Sequence, residues 1–272
     1  MQIDSLKSSR RSVSLLFSGG ADSTLSAALL AENFNDIHLV TFKHYSEWNV
    51  RSSKTNAIKL RAKFPQVEFK HIFLNCTKLF VRLQRDFLKD FPRYRYFTLF
   101  ICGACKLAMH TELIIYNLKN NIKYAASGVN YSMNMFPDQT DDGIKELEEY
   151  DKEYGIKLLS PVYSIKGVDK IAVEMGIMDK KHLKVKHKAS WTRLSDLSIP
   201  IKNMVDNTQG FCLWIPLIDL YIAMVRSRKD TTCCKLMLSV SKIAAKYYNE
   251  KINKVCRNYI ELHIKQRIIV KR

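Results

Sequence analysis

The stretch Ser18-Gly19-Gly20-Ala21-Asp22-Ser23-Thr24, called the glycine loop below, decides the fold. It follows residues 12–17, whose apolar character predicts a β-strand, and it leads directly into residues 22–33, which predict a helix. Unpaired N–H groups at a helix start favour anions, and glycines let the backbone approach a ligand closely. The glycine loop therefore predicts a phosphate site. The alternative is an ordinary turn in which Asp and Ser cap the helix.

Beyond the loop, short β-rich segments alternate with helical segments, which predicts a parallel sheet flanked by helices. The predicted strands are residues 37–42, 67–75, 123–127 and 156–159, and the predicted helices are residues 49–64, 77–89, 105–119, 143–154 and 167–175. From about Trp214 the sequence indicates mainly helix. We therefore predict an α/β fold, a doubly wound parallel sheet with a mostly helical C-terminal region. The predicted boundary near Lys166 separates residues 1–165 from a basic region, residues 166–272.

The chain is strongly basic. Its 272 residues include 44 Lys and Arg against 26 Asp and Glu, a formal net charge of +18, and 47% of the residues are hydrophobic. That charge favours a polyanionic partner such as RNA, or it simply keeps the surface soluble. The basic run around Trp191 predicts RNA contacts, with a solvated charge run as the equal alternative; its candidate residues are Lys184, Lys186, Lys188 and Arg193.

No signal peptide or membrane span is predicted. Residues 1–11 are polar and basic, and the apolar residues 211–225 contain Pro216 and Asp219 and are shorter than the ~18 residues that a span needs. Seven cysteines, an odd number, without a secretory signal indicate a reducing compartment. We expect a cytoplasmic protein without a membrane partner, and the sequence does not predict its oligomeric state.

The glycine loop is neither a Walker A motif nor G-x-G-x-x-G. It resembles the S-G-G-x-D-S signature of PP-loop ATP pyrophosphatases, a family that includes tRNA thiolation enzymes and 7-cyano-7-deazaguanine synthases. Two later segments are also similar to the family: Ala126-Ser127-Gly128-Val129-Asn130, and residues 160–177 with Lys166. The resemblance implies ATP at the carboxyl ends of the strands, cleavage to AMP and pyrophosphate, and adenylation of a substrate.

Carried onto this sequence, the resemblance implies an ATP site within residues 1–165 and a Mg²⁺ ion. A carboxylate beside phosphates is best explained as holding Mg²⁺ or orienting the reacting group, which is the role expected of Asp22. The implied ATP-binding residues are Ser18, Gly19, Gly20, Asp22, Ser23, Thr24, Phe42, Gly128 and Lys166.

A second motif is Cys102-Gly103-Ala104-Cys105-Lys106, which precedes a predicted helix. A helix start and an adjacent Lys lower the pKa of a thiol and favour the reactive thiolate. The motif resembles the equivalent segment of tRNA thiolation enzymes. That likeness implies either a catalytic Cys105 assisted by Cys102, or a [4Fe-4S] cluster on both thiols with Cys212 as a candidate third ligand. Half of a Zn²⁺ site and purely structural thiols remain alternatives.

A competing resemblance is carried by Gly128-Val129-Asn130 and Phe136-Pro137-Asp138, which are similar to a segment of 7-cyano-7-deazaguanine synthases. The C-x-x-C-x-x-C zinc motif of those enzymes does not follow Pro161. The first hypothesis is thus an adenylating tRNA sulfurtransferase with a sulfur donor. The second is a ligase that uses ammonia on a small carboxylate, and the third is a non-catalytic ATP-binding protein.

Overall fold

The computed structural model of the protein describes residues 11–44, 47–48, 51–94, 96, 99–131, 136–180, 211–212 and 232–270. Five parallel strands form one sheet in the order β4-β2-β1-β5-β6. They are β1 (Ser12–Leu16), β2 (Asp36–Lys43), β4 (Glu68–Asn75), β5 (Tyr124–Ser127) and β6 (Lys157–Leu159). Two short strands, β3 (Glu47–Trp48) and β7 (Phe211–Cys212), pair antiparallel beside it.

Helices connect the strands. They are α1 (Ala21–Leu30), α2 (Arg51–Lys63), α3 (Thr77–Gln84), α4 (Phe87–Tyr94), α5 (Ala104–Asn120), α6 (Asp141–Glu153), α7 (Val168–Glu174), α8 (Thr232–Lys251) and α9 (Arg257–Val270), with a π-helical turn (Leu99–Gly103) before α5. The predicted α/β fold with a parallel sheet is confirmed. The single helix predicted over residues 77–89 is wrong, because the chain turns after Gln84 and directs Phe87 against Phe100, with ring centroids 5.0 Å apart.

Alternate residues of each strand enter different cores, one on each face of the sheet. Leu15 of β1 packs with α1, α2 and α7, whereas its neighbour Leu16 packs with α3, α5, α6 and α8. Strands that are buried on both faces carry apolar residues facing both sides, as Leu15, Leu16 and Phe17 do. The C-terminal helix α8 contributes Val240, Ala244 and Tyr247 to the same core as Leu16. The boundary predicted near Lys166 stays a prediction.

Parallel pairing brings the carboxyl ends of the strands to one edge of the sheet. Leu16, the last residue of β1, is in register with Val40 of β2 and with Ser127 of β5. The connections run from β1 to β2 and β4 on one side, and to β5 and β6 on the other. Ligands of open parallel sheets bind at such a switch point. The glycine loop lies at this place, directly after β1.

One helical segment of the described chain, Leu99–Asn120, is long and apolar enough to cross a membrane by length and composition. Of its most apolar 18-residue window, 67% is buried inside the protein. Core helices of proteins without a membrane span pass the same test, so this segment is weak evidence for a span. Most of the apolar residues 211–225 lie outside the described part of the chain.

Candidate functional site

The glycine loop is held by the start of α2. Gly19 has φ +78°, and a Cβ atom there would lie 2.4 Å from the backbone nitrogen of Ser53. A side chain would therefore meet both an unfavourable backbone conformation and a clash with backbone atoms. The Nδ2 group of Asn56 donates a hydrogen bond of 2.7 Å to the carbonyl oxygen of Gly19. The loop is thus fixed on one side by α2.

The other side of the loop is held by the turn after β5. A Cβ atom on Gly128 would lie 2.8 Å from the backbone nitrogen of Ser23. Only a glycine allows the two backbone segments to approach this closely. The structure therefore brings Gly128, which the sequence reasoning placed at the nucleotide, against the first turn of α1.

Two hydroxyl groups of the loop bond to its own backbone. The Oγ atom of Ser18 accepts a hydrogen bond from Gly20 N at 3.2 Å, and Ser23 Oγ donates one to Gly20 O at 3.1 Å. The two hydroxyls are 3.2 Å apart. The hydroxyl of Thr24, by contrast, is fully buried without a hydrogen-bond partner among the described residues. Ser18 and Ser23 are therefore the hydroxyls placed to meet a ligand.

A cavity of about 260 Å³ opens between the glycine loop, the ends of β1 and β2, and α5. Six of the nine predicted ATP-binding residues line it: Ser18, Gly20, Asp22, Ser23, Phe42 and Gly128. The other three, Gly19, Thr24 and Lys166, do not line it, and Lys166 is exposed. Loop backbone, one carboxylate and two hydroxyls thus face one another around a single space.

Lys106 is a cavity residue that the sequence reasoning placed only beside Cys105. Its Nζ atom donates a hydrogen bond of 2.9 Å to Ser127 Oγ and lies 3.7 Å from Asp138 Oδ2. Its side chain is 15% exposed and lines the cavity opposite the glycine loop. Its place in the cavity follows from the contact with Ser127 at the end of β5 and not from a local sequence motif.

Cys105 contacts a histidine that the sequence reasoning missed. The Sγ atom of Cys105 lies 3.4 Å from Nε2 of His44, which directly follows β2. Burial lowers the pKa of His44 from 6.5, so the imidazole is neutral at pH 7 and its Nε2 atom can accept a hydrogen bond from the thiol. Its ring packs edge-on against Phe80 at 5.0 Å. Because β2 ends at the same edge as β1, its register with β1 is the signal that could have predicted His44.

The metal and RNA predictions receive no test from the described residues. No group of three or more His, Cys, Asp or Glu side chains gathers among them. Cys102 and Cys105 are half-buried and form no disulfide among the described residues. The backbone of Cys212 pairs with Glu47, three residues beyond His44. The structure does not describe the Cys212 side chain. It also does not describe the four predicted RNA-binding residues, which are Lys184, Lys186, Lys188 and Arg193.

Comparison with known proteins gives one family match and distant structural likenesses. A family model described as a family of unknown function (DUF7411) matches residues 11–88. No curated protein sequence matches the chain.

A predicted subunit of tRNA methyltransferase from Methanocaldococcus jannaschii is 20% identical, with a TM-score of 0.41, over 60% of this chain and 75% of that one. The U34-tRNA thiolase NcsA from Methanococcus maripaludis, solved with its [4Fe-4S] cluster, is 14% identical with a TM-score of 0.37. The match covers 93% of this chain and 72% of that one. At such low TM-scores neither likeness assigns a ligand or a reaction to this chain.

Proposed function

We propose that this protein binds ATP in the cavity at the carboxyl edge of the sheet and cleaves it to AMP and pyrophosphate, adenylating a nucleobase of tRNA. The observation that carries the proposal is the arrangement around the cavity, in which the glycine loop, Asp22 and the ammonium of Lys106 face one space. Backbone N–H groups at a helix start together with a lysine are the donors that triphosphates require. The apolar end of β2, with Val40 and Phe42, suits the adenine ring.

The oxygen atoms around the cavity also fit Mg²⁺. Asp22 supplies a carboxylate, and Ser18 and Ser23 supply hydroxyls at the same wall. Mg²⁺ takes oxygen ligands and keeps several waters, so one or two protein ligands suffice. When bound, the ion neutralises phosphate charge. Asp22 would hold it there, while Lys106 orients the phosphates from the opposite wall.

Adenylation would explain why the proposed ATP cavity and a thiol lie at one edge of the sheet. A base oxygen attacks the α-phosphorus, pyrophosphate leaves, and the base carbon then carries AMP as a good leaving group. We propose that Cys105 receives a sulfane sulfur from a donor persulfide, which leaves as a thiol, and that the outer sulfur of the Cys105 persulfide attacks that carbon and expels AMP. Attack of the Cys102 thiolate on Cys105 Sγ releases the thiolated base and leaves a disulfide. Contact between Cys105 and His44 favours a reacting thiol over a [4Fe-4S] or Zn²⁺ ligand.

The test is ATP turnover followed as AMP and pyrophosphate, with and without bulk tRNA. Wild-type protein should release AMP faster when tRNA is present, and Asp22→Ala should abolish release while the protein stays folded. Cys105→Ser should retain adenylation but form no thiolated tRNA. Wild-type rates in Asp22→Ala would refute the assignment of the site.

One observation favours a second candidate, a ligase that uses ammonia on a small carboxylate. The two segments similar to 7-cyano-7-deazaguanine synthases meet at the cavity, where the backbone nitrogen of Asn130 donates to Gln139 Oε1 at 3.1 Å and Gln139 lines the wall. Under this candidate Cys105→Ser would be fully active, and AMP release would require a small carboxylate with ammonia rather than tRNA. The same variant therefore separates the two functions.

A further inference from the structure

Two lysines converge on one aromatic ring at the edge of the sheet. Phe73 lies near the end of β4, the outermost strand on its side, and its ring is half-buried. The Nζ atom of Lys43 lies 4.6 Å from the centroid of this ring, and that of Lys54 lies 5.7 Å from it. Both lysines are exposed. We call Lys43, Lys54 and Phe73 the edge surface.

The two charges of the edge surface are not balanced by the described part of the chain. Elsewhere lysines have carboxylate partners, as in Lys59–Asp179 at 2.6 Å and Lys70–Asp36 at 2.9 Å. Among the carboxylates whose side chains the structure describes, none lies within ion-pair distance of Lys43 or Lys54. Two like charges close to one ring repel each other. An anion between them would relieve this repulsion, so the arrangement favours a negatively charged partner.

The positive charges near the edge surface also help to lower the pKa of a neighbouring histidine. The ring of His71 lies 4.5 Å from that of Phe73. Burial, reinforced by the charges of Arg61 and Lys54, lowers the pKa of His71 to about 4. His71 is therefore neutral at pH 7 and adds an uncharged aromatic ring beside Phe73. The charges of Lys54 and Arg61 remain available to phosphates.

The edge surface adjoins the proposed active site. Lys43 stands between Phe42, which lines the cavity, and His44, which contacts Cys105. Successive side chains of a strand point to opposite faces of the sheet, so the edge surface meets the site at the carboxyl edge of β2 and not on the face that holds Cys105.

We propose that the edge surface binds an unpaired segment of the RNA substrate, with a base stacked on Phe73 and its flanking phosphates on Lys43 and Lys54. The identity of the partner as substrate rests on the proposed function, but the binding itself does not. Aromatic faces bordered by cations bind single strands, whose bases are free to stack. An exposed cation–π contact is weak, so the lysines can move from the ring to phosphates as a base takes their place.

The test is fluorescence anisotropy of a labelled single-stranded RNA of about 12 nucleotides at several salt concentrations. The variant Lys43→Gln/Lys54→Gln should weaken binding at least tenfold and reduce the magnitude of the logarithmic salt slope by about 1.4, or about 0.7 for each lost phosphate contact. The control Lys123→Gln/Lys157→Gln removes two exposed lysines at the amino ends of β5 and β6, with the same change in net charge. The control should change affinity less than threefold.

A second variant isolates stacking. Phe73→Leu keeps an apolar side chain but removes the flat face, so it should weaken single-strand binding about tenfold and leave the salt slope unchanged. A duplex RNA of the same length, whose bases are already stacked, should not distinguish Phe73→Leu from wild type. Any of three results would overturn the proposal. They are an equal loss of RNA affinity in the two double-lysine variants, unchanged binding by Phe73→Leu, and no RNA binding by the wild type. ATP turnover, measured separately, decides the proposed function whatever the RNA result.

Discussion

Cys105 Sγ and His44 Nε2 lie 3.4 Å apart, although 61 residues separate them in the chain. The strand end of β2 supplies the imidazole and the first turn of α5 supplies the thiol. The contact joins the second cysteine of the motif to a histidine that lies far from it in the sequence.

The first prediction concerns the reactivity of Cys105. His44→Asn removes the proton acceptor, so alkylation of Cys105 by iodoacetamide at pH 7 should slow several-fold. Site-resolved mass spectrometry of the reduced protein gives the rate for each cysteine. The control is His71→Asn, which alters another histidine whose pKa is lowered by burial. Equal Cys105 rates in wild type and His44→Asn would show that the contact has no chemical role.

Much of this site could be predicted from local sequence, and the reasons differ by residue. The glycine loop is recognisable because strand, loop and helix follow one another without a break. Thr24 does not line the cavity, because it lies among buried residues of α1 such as Leu25 and Ala28 and its hydroxyl is itself buried. Its role at the nucleotide stays a prediction. Asp22, on the other side of the first turn, lines the cavity instead.

Lys106 and His44 could not be read from a local motif. Each residue lies at the site because a crossover connection places its strand or helix beside β1. The order of the strands in the sheet cannot be deduced from a single sequence. Once the order β4-β2-β1-β5-β6 is known, the residue after β2 must lie beside the end of β1. For Lys166 the local sequence suggested a site residue that the cavity does not contain. A family-like spacing predicted Lys166 at the nucleotide, but in the structure it is exposed and does not line the cavity.

The second prediction concerns the geometry of the glycine loop. Gly19→Ala should destabilise the protein by roughly 3 kcal/mol or more, because a positive φ costs about 1–2 kcal/mol and a contact of 2.4 Å with Ser53 N adds a clash. Gly155→Ala is the matched control, with φ +71° and nothing within 4 Å of the added Cβ. Urea unfolding gives both free energies of unfolding. Equal losses would mean that α2 moves aside to accommodate the methyl group.

The third prediction concerns phosphate binding by Lys106. Lys106→Met preserves the length of the side chain but removes a charged donor that lines the cavity. A charge-assisted hydrogen bond contributes roughly 1.5–3 kcal/mol, so the Kd for ATP should rise about tenfold or more. Calorimetry with ATP and Mg²⁺ measures it. Lys119→Met, at the far end of the same helix, should bind ATP as the wild type does. Unchanged affinity in Lys106→Met would place the phosphates elsewhere.

The fourth prediction uses acid to test the contact between α8 and α4. Burial alone would raise the pKa of Glu250, but hydrogen bonds from Lys254 and Tyr94 and the charge of Arg93 outweigh it and lower the pKa from 4.5 to about 2. A carboxylate with a lowered pKa stabilises the fold fully above pH 4.5 and loses that contribution as the pH falls from 4.5 towards 2. Because solvent screens the group, we expect roughly 1 kcal/mol.

The measurement for this prediction is the difference in unfolding free energy between wild type and Glu250→Gln, followed from pH 7 to pH 2.5. The difference should be constant above about pH 5 and shrink as the pH falls below 4.5, because both proteins then carry an uncharged side chain. Glu174→Gln is the control, since Glu174 forms only an exposed ion pair with Lys170 at 3.7 Å. A Glu250 difference that is independent of pH would mean that the carboxylate stabilises α8 by packing alone, and the charges of Arg93 and Lys254 would then contribute nothing to holding the C-terminal helix on α4.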